Sequence, residues 1–420
     1  RDSRACSGWA LLSLCHASAD RIQLMPPSQP NPPPLNLAVR LAVFYGGYFL
    51  VGGVLFPFWP LLLEARGLQA GQIGLVLALA LWLRAAAGPV VAWQADRSGA
   101  PKKTLIACAA AALAVMPAFY WAAGFWPLLL ATFAFFFAYS SVAPLAETIS
   151  LRTVSAEQGY GRVRLWGSVS FVIAAIAGGF LLDARGGLPA STIVTLLLVT
   201  LAILLAASLA LPRAPAARAA RGLAPLKTLL SSKPFVLFIL ATGMIHAAHG
   251  VYYGFSTIHW TSQGYSHLTV GLLWGGGVVA EILLFAFGAP VVRRMGPIGL
   301  IATAAGLGAL RWAVLALTTE LWIVALSQLL HAASFGAMHL GAMLFITRAV
   351  PDVYANSAQG LLGGLTYGAG LGAGMLLAGW LYGIIGADAY WANSALSALA
   401  LLVTLWLAVV WRGRVIAARG

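Results

Sequence analysis

Charge is what this sequence has least of. Only 9% of its 420 residues are Asp, Glu, Lys or Arg, and 11 of them are acidic. A soluble domain carries roughly 25% charged residues, so an ordinary soluble fold is excluded. Cysteine is nearly absent as well. Cys6, Cys15 and Cys108 share no metal-ligand spacing, which leaves no disulfide framework and no cysteine-based metal site. Cys108 falls in an apolar segment and reads as a small core residue. No phosphate-binding loop of the nucleotide-hydrolase type occurs, and the serines and histidines show no nucleophile–base order. The chain is therefore not read as an enzyme, and neither a cofactor nor a metal is expected.

What is present is apolar: 61% of the residues are hydrophobic and the mean hydropathy is +0.88. Runs near the roughly 20 residues that cross a hydrocarbon core as a helix recur along the chain. A membrane β-barrel would show short alternating segments instead. Spans are expected over 38–63, 71–94, 103–122, 126–148, 163–182, 191–211, 234–257, 268–291, 297–318, 321–346, 355–383 and 388–411. The fold class is thus an all-α membrane protein with two six-helix bundles, 38–211 and 234–411. The long polar connection 212–233 is read as a cytoplasmic linker and 412–420 as a cytoplasmic tail. Residues 1–37 read as a disordered or artefactual segment, with Met25 opening a proline-rich start and 1–24 as translated upstream sequence; a signal-like segment, "WALLSLCHASA", is the rival.

A net charge of +14 suggests nucleic acid, but its distribution does not. With both termini inside, every lysine and arginine falls on the inner side except Arg66, Arg185, Arg84 and Arg311. That is the positive-inside pattern of a membrane protein. No nucleic-acid partner is needed; the lipid bilayer, a small-molecule substrate and protons are the expected partners, and the protein is expected to be a monomer.

The halves repeat. "GLQAGQIGLV" (67–76) resembles "GYSHLTVGLL" (264–273), and the same 197-residue offset carries Arg97-Ser98-Gly99 onto Arg294-Met295-Gly296. The loop "DRSGAPKK" (96–103) resembles the short basic loop between the second and third spans of the major facilitator superfamily, with Asp96 and Arg97 as gate or structural charges. Parallel six-span repeats are the arrangement of those transporters.

An ionisable group inside a span needs a partner or a wet cavity, so it is a functional candidate by default. Glu281 is the acid placed deepest, and it is read as a reversible proton site or as a structural partner of Arg311 or a histidine. Arg84 lies 197 positions before it and either receives a substrate carboxylate or packs between helices. Gln328, His331, Phe335 and His339 share one helical face by their spacing and read as a cavity lining. His246, His249, Tyr252, Tyr253, Trp274 and Trp312 lie nearby in sequence and offer an aromatic wall or plain filling.

Together "YGRVRLWGSVSF" (160–171), "HGVYYGFSTIHW" (249–260), "GYSHLTVGLLWGGGVVAEILLFAFG" (264–288), "LRWAV" (310–314) and "QLLHAASFGAMHLGAM" (328–343) resemble the phenylpropionate permease family, over about residues 38–411. The resemblance implies a proton-coupled importer of an aromatic carboxylate in a bacterial inner membrane, working by alternating access. It implies proton coupling by Glu281, His331, His339 and Arg311, and substrate contact by Arg84, His249, Tyr252, Trp274 and Gln328. Related sugar symporters hold an acid–arginine pair between spans four and five; Glu147 and Arg164 stand there, near the cytoplasmic end, which suits a gate or brace, while Arg162 is read as snorkelling to headgroups. Two other readings remain: a proton symporter of a neutral sugar or nucleoside, and a transport-inactive sensor or interaction protein.

Overall fold

In hydrocarbon an apolar run must satisfy its own backbone, and a helix does so within one segment. The computed structural model describes residues 35–153, 160–186, 189–212 and 224–416, and these are helical with no strand among them. Residues 1–34 of the expected N-terminal segment and 213–223, half of the 212–233 connection, lie outside the described residues. Among the described residues, eleven stretches are long and apolar enough to cross a membrane; the last, Asp352–Val410, turns back at Gly386 and so holds two legs.

The first six passes are α1 (Leu35–Ala65), α2 (Ala70–Ser98), α3 (Pro101–Val115), α4 (Phe125–Tyr139) continued by α5 (Val142–Thr153), α6 (Tyr160–Ala184) and α7 (Pro189–Ala210). After the short α8 (Ala224–Leu230), the seventh pass is α9 (Lys233–Ala247) with α10 (Gly250–Ser262). Then come α11 (His267–Phe287), α12 (Ala289–Leu317), α13 (Leu321–His331) with α14 (Met338–Ala349), α15 (Ala355–Leu361) with α16 (Leu371–Ile385), and α17 (Ala389–Val410). The tenth and eleventh passes each contain a π-helical segment, Ala332–Ala337 and Leu362–Gly370. Such widened turns shift side-chain register and recur at functional sites. The sequence reading missed them because a π turn has the same composition as the helix around it.

The duplication is visible in the corners. Gly67 and Gly264 have φ of 92° and 89°, and Gly99 and Gly296 both have φ of 64°, each pair 197 positions apart. Only glycine takes this left-handed backbone without steric cost. At Gly296 the chain breaks α12 into a short lead and the pass proper.

The two sets of six passes meet in two equivalent places, α6 against α11 and α2 against α16. In the first, a Cβ on Gly179 would overlap the carbonyl oxygen of His267, and one on Gly271 that of Ala175. In the second, Gly379 faces the carbonyl of Ala70 and Gly74 that of Met375 in the same reciprocal way. Small residues permit this backbone-to-backbone approach, which in lipid rests on dispersion rather than on the hydrophobic effect. These contacts lie toward the end of the bundle away from the termini, so the protein is closed there.

Candidate functional site

Two polar clusters face the interior, one on each set of six passes. The first begins on α1, whose Tyr45, Tyr48, Phe49 and Phe56 recur at helical steps and put aromatic rings on one side. With Phe44, Ala143 and Pro144 they line a cavity of about 250 Å³ that also contains Arg84, Glu147 and Arg164. Arg164 donates to Glu147 Oε1 at 2.8 Å, and the two side chains are 49% and 41% exposed, so the cavity opens toward the termini. Arg84 is exposed in it, and among the described residues it has no hydrogen-bond or ion-pair partner. Tyr48 stacks on Tyr139 with ring centroids 5.3 Å apart, and that pair backs the wall.

The second cluster is mostly buried. Arg311 on α12 is fully buried and donates to Gln328 Oε1 at 2.9 Å, to His331 Nδ1 at 3.1 Å and to Ser334 Oγ at 3.3 Å. Its guanidinium lies 4.4 Å from the Tyr252 ring centre and 4.7 Å from that of Trp312. Every hydrogen-bond partner is neutral, so this cation is stabilised by oriented dipoles and ring faces rather than by a carboxylate. Gln328 Oε1 also accepts from Tyr252 Oη at 2.9 Å, and Gln328 Nε2 donates to Val324 O and Ser327 Oγ.

Arg311 can only donate, so His331 Nδ1 must accept and the imidazole proton sits on Nε2. That nitrogen faces Glu281 Oε2 at 3.8 Å. Gly277 lies against the His331 ring and Gly336 against the Glu281 side chain, which lets α11 and the π segment approach. The result is a line of guanidinium, imidazole and carboxyl.

The expected residues thus fall in three places. Arg84, Glu147 and Arg164 share the open cavity, although the pair's position near the membrane edge had pointed to a brace. Glu281, His331, Arg311, Gln328 and Tyr252 form the buried network. Trp274 stacks on Tyr252 at 5.0 Å and is buried. His249 is also buried: its Nδ1 bonds Ile245 O at 2.8 Å where the seventh pass breaks, and its ring meets Trp312 edge-on. His339 does not join His331; the π turn rotates it to Tyr367, whose hydroxyl is 2.8 Å from its Nδ1. Phe335 stays with His331, stacked at 5.4 Å. Arg97 is exposed at the end of α2, and the side chains of Asp96 and Arg162 lie outside the described residues. The sequence reading missed the α1 aromatic face, Ser334 and Tyr367; the helical spacing from Tyr45 to Phe56 was the available signal. Among the described residues no three His, Cys, Asp or Glu converge on a metal-sized site.

Comparison with known proteins agrees with this architecture. The family model described as "MFS_1 like family" matches residues 38–392. A probable 3-phenylpropionic acid transporter of Escherichia coli (strain K12) is 31% identical over 370 residues, 84% of this chain and 93% of the relative. A maltose permease of Geobacillus stearothermophilus is 31% identical over 368 residues, 83% and 90% of the two chains. A crystal structure of the nucleoside transporter NupG superposes with a TM-score of 0.76 at 17% identity, over 90% of this chain and all of that one. Family members are transporters and not enzymes, and the present chain, a multi-pass membrane protein with the same helical architecture, belongs to the MFS_1-like family of the major facilitator transporters.

Proposed function

We propose that the protein is a proton-coupled importer of a small aromatic carboxylate, with 3-phenylpropionate as the compound to test first. It works as a monomer by alternating access in a bacterial inner membrane, with both termini in the cytoplasm. The observation that carries the reading is the cavity in which an unpaired Arg84 stands beside the rings of Tyr48, Phe49 and Phe56. A guanidinium receives a carboxylate through two parallel hydrogen bonds, and the ring faces receive an aromatic body. The 31% identity to a probable 3-phenylpropionic acid transporter favours the same chemistry. Glu147 keeps Arg164 oriented in that cavity.

In this mechanism Glu281 carries the proton. His331 donates its Nε2–H toward the ionised carboxylate, and Arg311 holds that tautomer in place. His339 on the tenth pass with Tyr367 on the eleventh supplies a second polar pair. His249, Tyr252, Trp274 and Gln328 support the wall behind the site. Glu147 and Arg164, with Arg97, frame the cytoplasmic mouth.

The test is uptake into proteoliposomes under an imposed pH gradient, with 3-phenylpropionate, maltose and a nucleoside compared. Arg84→Ala is expected to cut aromatic-acid uptake about tenfold or more, as loss of a charge-assisted contact does. Equal losses for the acid and for a neutral solute would transfer the assignment to a sugar or nucleoside, the reading that the maltose permease relative favours.

A further inference from the structure

The two equivalent contacts between the halves are not equally held. Along α6 and α16 the correspondence is 200 positions, since Gly179 matches Gly379 and Ala175 matches Met375 in what they touch. At the end away from the termini, the last turn of α6 carries Asp183. Its Oδ1 accepts from the backbone N–H of His267 at 2.9 Å and lies 2.8 Å from His267 Nδ1, and its Oδ2 accepts from the N–H of Leu268 at 2.9 Å. The next N–H of α11, that of Thr269, goes to Ser266 Oγ. A carboxylate from the first half therefore closes the first turn of a helix in the second half, where the backbone dipole favours negative charge. The position 200 further on is Gly383, and a Cβ there would lie 3.6 Å from Ala70 Cβ and 4.0 Å from the nitrogen of Gly71, at the first turn of α2. Ala70 and Gly71 are the counterparts of His267 and Leu268 at the 197-residue offset. So the α2/α16 contact has a glycine where the α6/α11 contact has an acid.

We infer that Asp183 is a one-sided latch: it sets how readily the protein opens at the end away from the termini, and the glycine contacts alone leave the other interface free to part. When the halves separate there, the first turn of α11 loses two charge-assisted bonds and one ring contact, while the first turn of α2 loses only apolar contact at Gly383. This rests on the alternating-access reading above.

The experiment uses the full chain in proteoliposomes, with Cys6, Cys15 and Cys108 replaced and spin labels at Trp121→Cys and Leu317→Cys. Both are exposed positions beside the loops of that end, one on each half. Distances between the labels report the open and closed populations. Asp183→Ala is expected to raise the open-to-closed ratio about tenfold, the population shift of a lost helix cap with its charge. His267→Ala, which keeps both backbone bonds, moves it less. Gly383→Asp installs the missing latch on the second interface and lowers the ratio, and it guards against misfolding of the alanine variant. The inference is overturned if Asp183→Ala and Gly383→Asp both leave the ratio at the parent value while substrate still shifts it. If the labels show a single separation in every variant with and without substrate, alternating access itself fails, and the latch with it.

Discussion

At the scale of single residues the buried guanidinium decides most. Arg311 has only neutral hydrogen-bond partners, so two opposing quantities set the cost of changing it. Its removal forfeits three hydrogen bonds and two ring contacts, but it also removes a desolvated charge, and apolar replacement of buried ions is often near neutral. Arg311→Met is therefore expected to change unfolding stability by less than about 2 kcal/mol while abolishing proton-driven accumulation, because His331 loses the partner that fixes its tautomer. Gln328→Ala behaves in the opposite way. It leaves the cation in place and takes away the oxygen shared by Arg311 and Tyr252, so it should cost about 3 kcal/mol; thermal unfolding in detergent checks both. Glu281→Gln should retain substrate exchange without a gradient and lose accumulation under one. Unchanged accumulation in that variant would remove Glu281 from the coupling. How far such a site could be read without coordinates depends on the residue. Glu281, His331 and Arg311 stood out because charge inside an apolar run is conspicuous. Tyr48, Phe49 and Phe56 did not, because aromatic residues in a membrane helix have the same composition whether they face lipid, a neighbour or a cavity.

At the scale of elements, glycine does two jobs that composition cannot separate. Gly374 sits within the second half, where a Cβ would overlap Ala247 O between α16 and α9. Gly179 sits between the halves, against His267 O. Gly374→Val should cost about 2 kcal/mol or more and lower the unfolding temperature, as overpacking of a fixed contact does. Gly179→Val should leave the fold nearly as stable and bias the protein toward opening at the end away from the termini, because that contact need not persist. Labelling of a loop cysteine by a membrane-impermeant thiol reagent distinguishes the two. The twelve passes and their order were legible from hydropathy, since each run is long and the turns carry charge or glycine. The breaks inside passes were not. His339 was expected beside His331 by counting 3- and 4-residue steps, and the π segment Ala332–Ala337 defeats that count by adding a residue to the turn.

At the scale of the whole molecule, substrate charge and driving force are linked. A carboxylate that enters with one proton carries no net charge across the membrane. Its accumulation then follows the pH gradient alone, about tenfold per pH unit, and an imposed potential has no effect. A neutral sugar with one proton is electrogenic, and 100 mV contributes about 2.3 kcal/mol, or about fiftyfold. Uptake under a potassium diffusion potential at equal pH therefore separates the two substrate classes without any mutation. The aromatic-acid reading predicts no response.

The paired corners at Gly67/Gly264 and Gly99/Gly296 have a historical consequence. Turns that match in φ to within a few degrees mark what two copies of one gene segment still share. The interiors have parted: Arg84 in one copy stands where Glu281 stands in the other. The shared corners keep the two frames alike, while opposite charges at equivalent positions make the two walls of the interior chemically different.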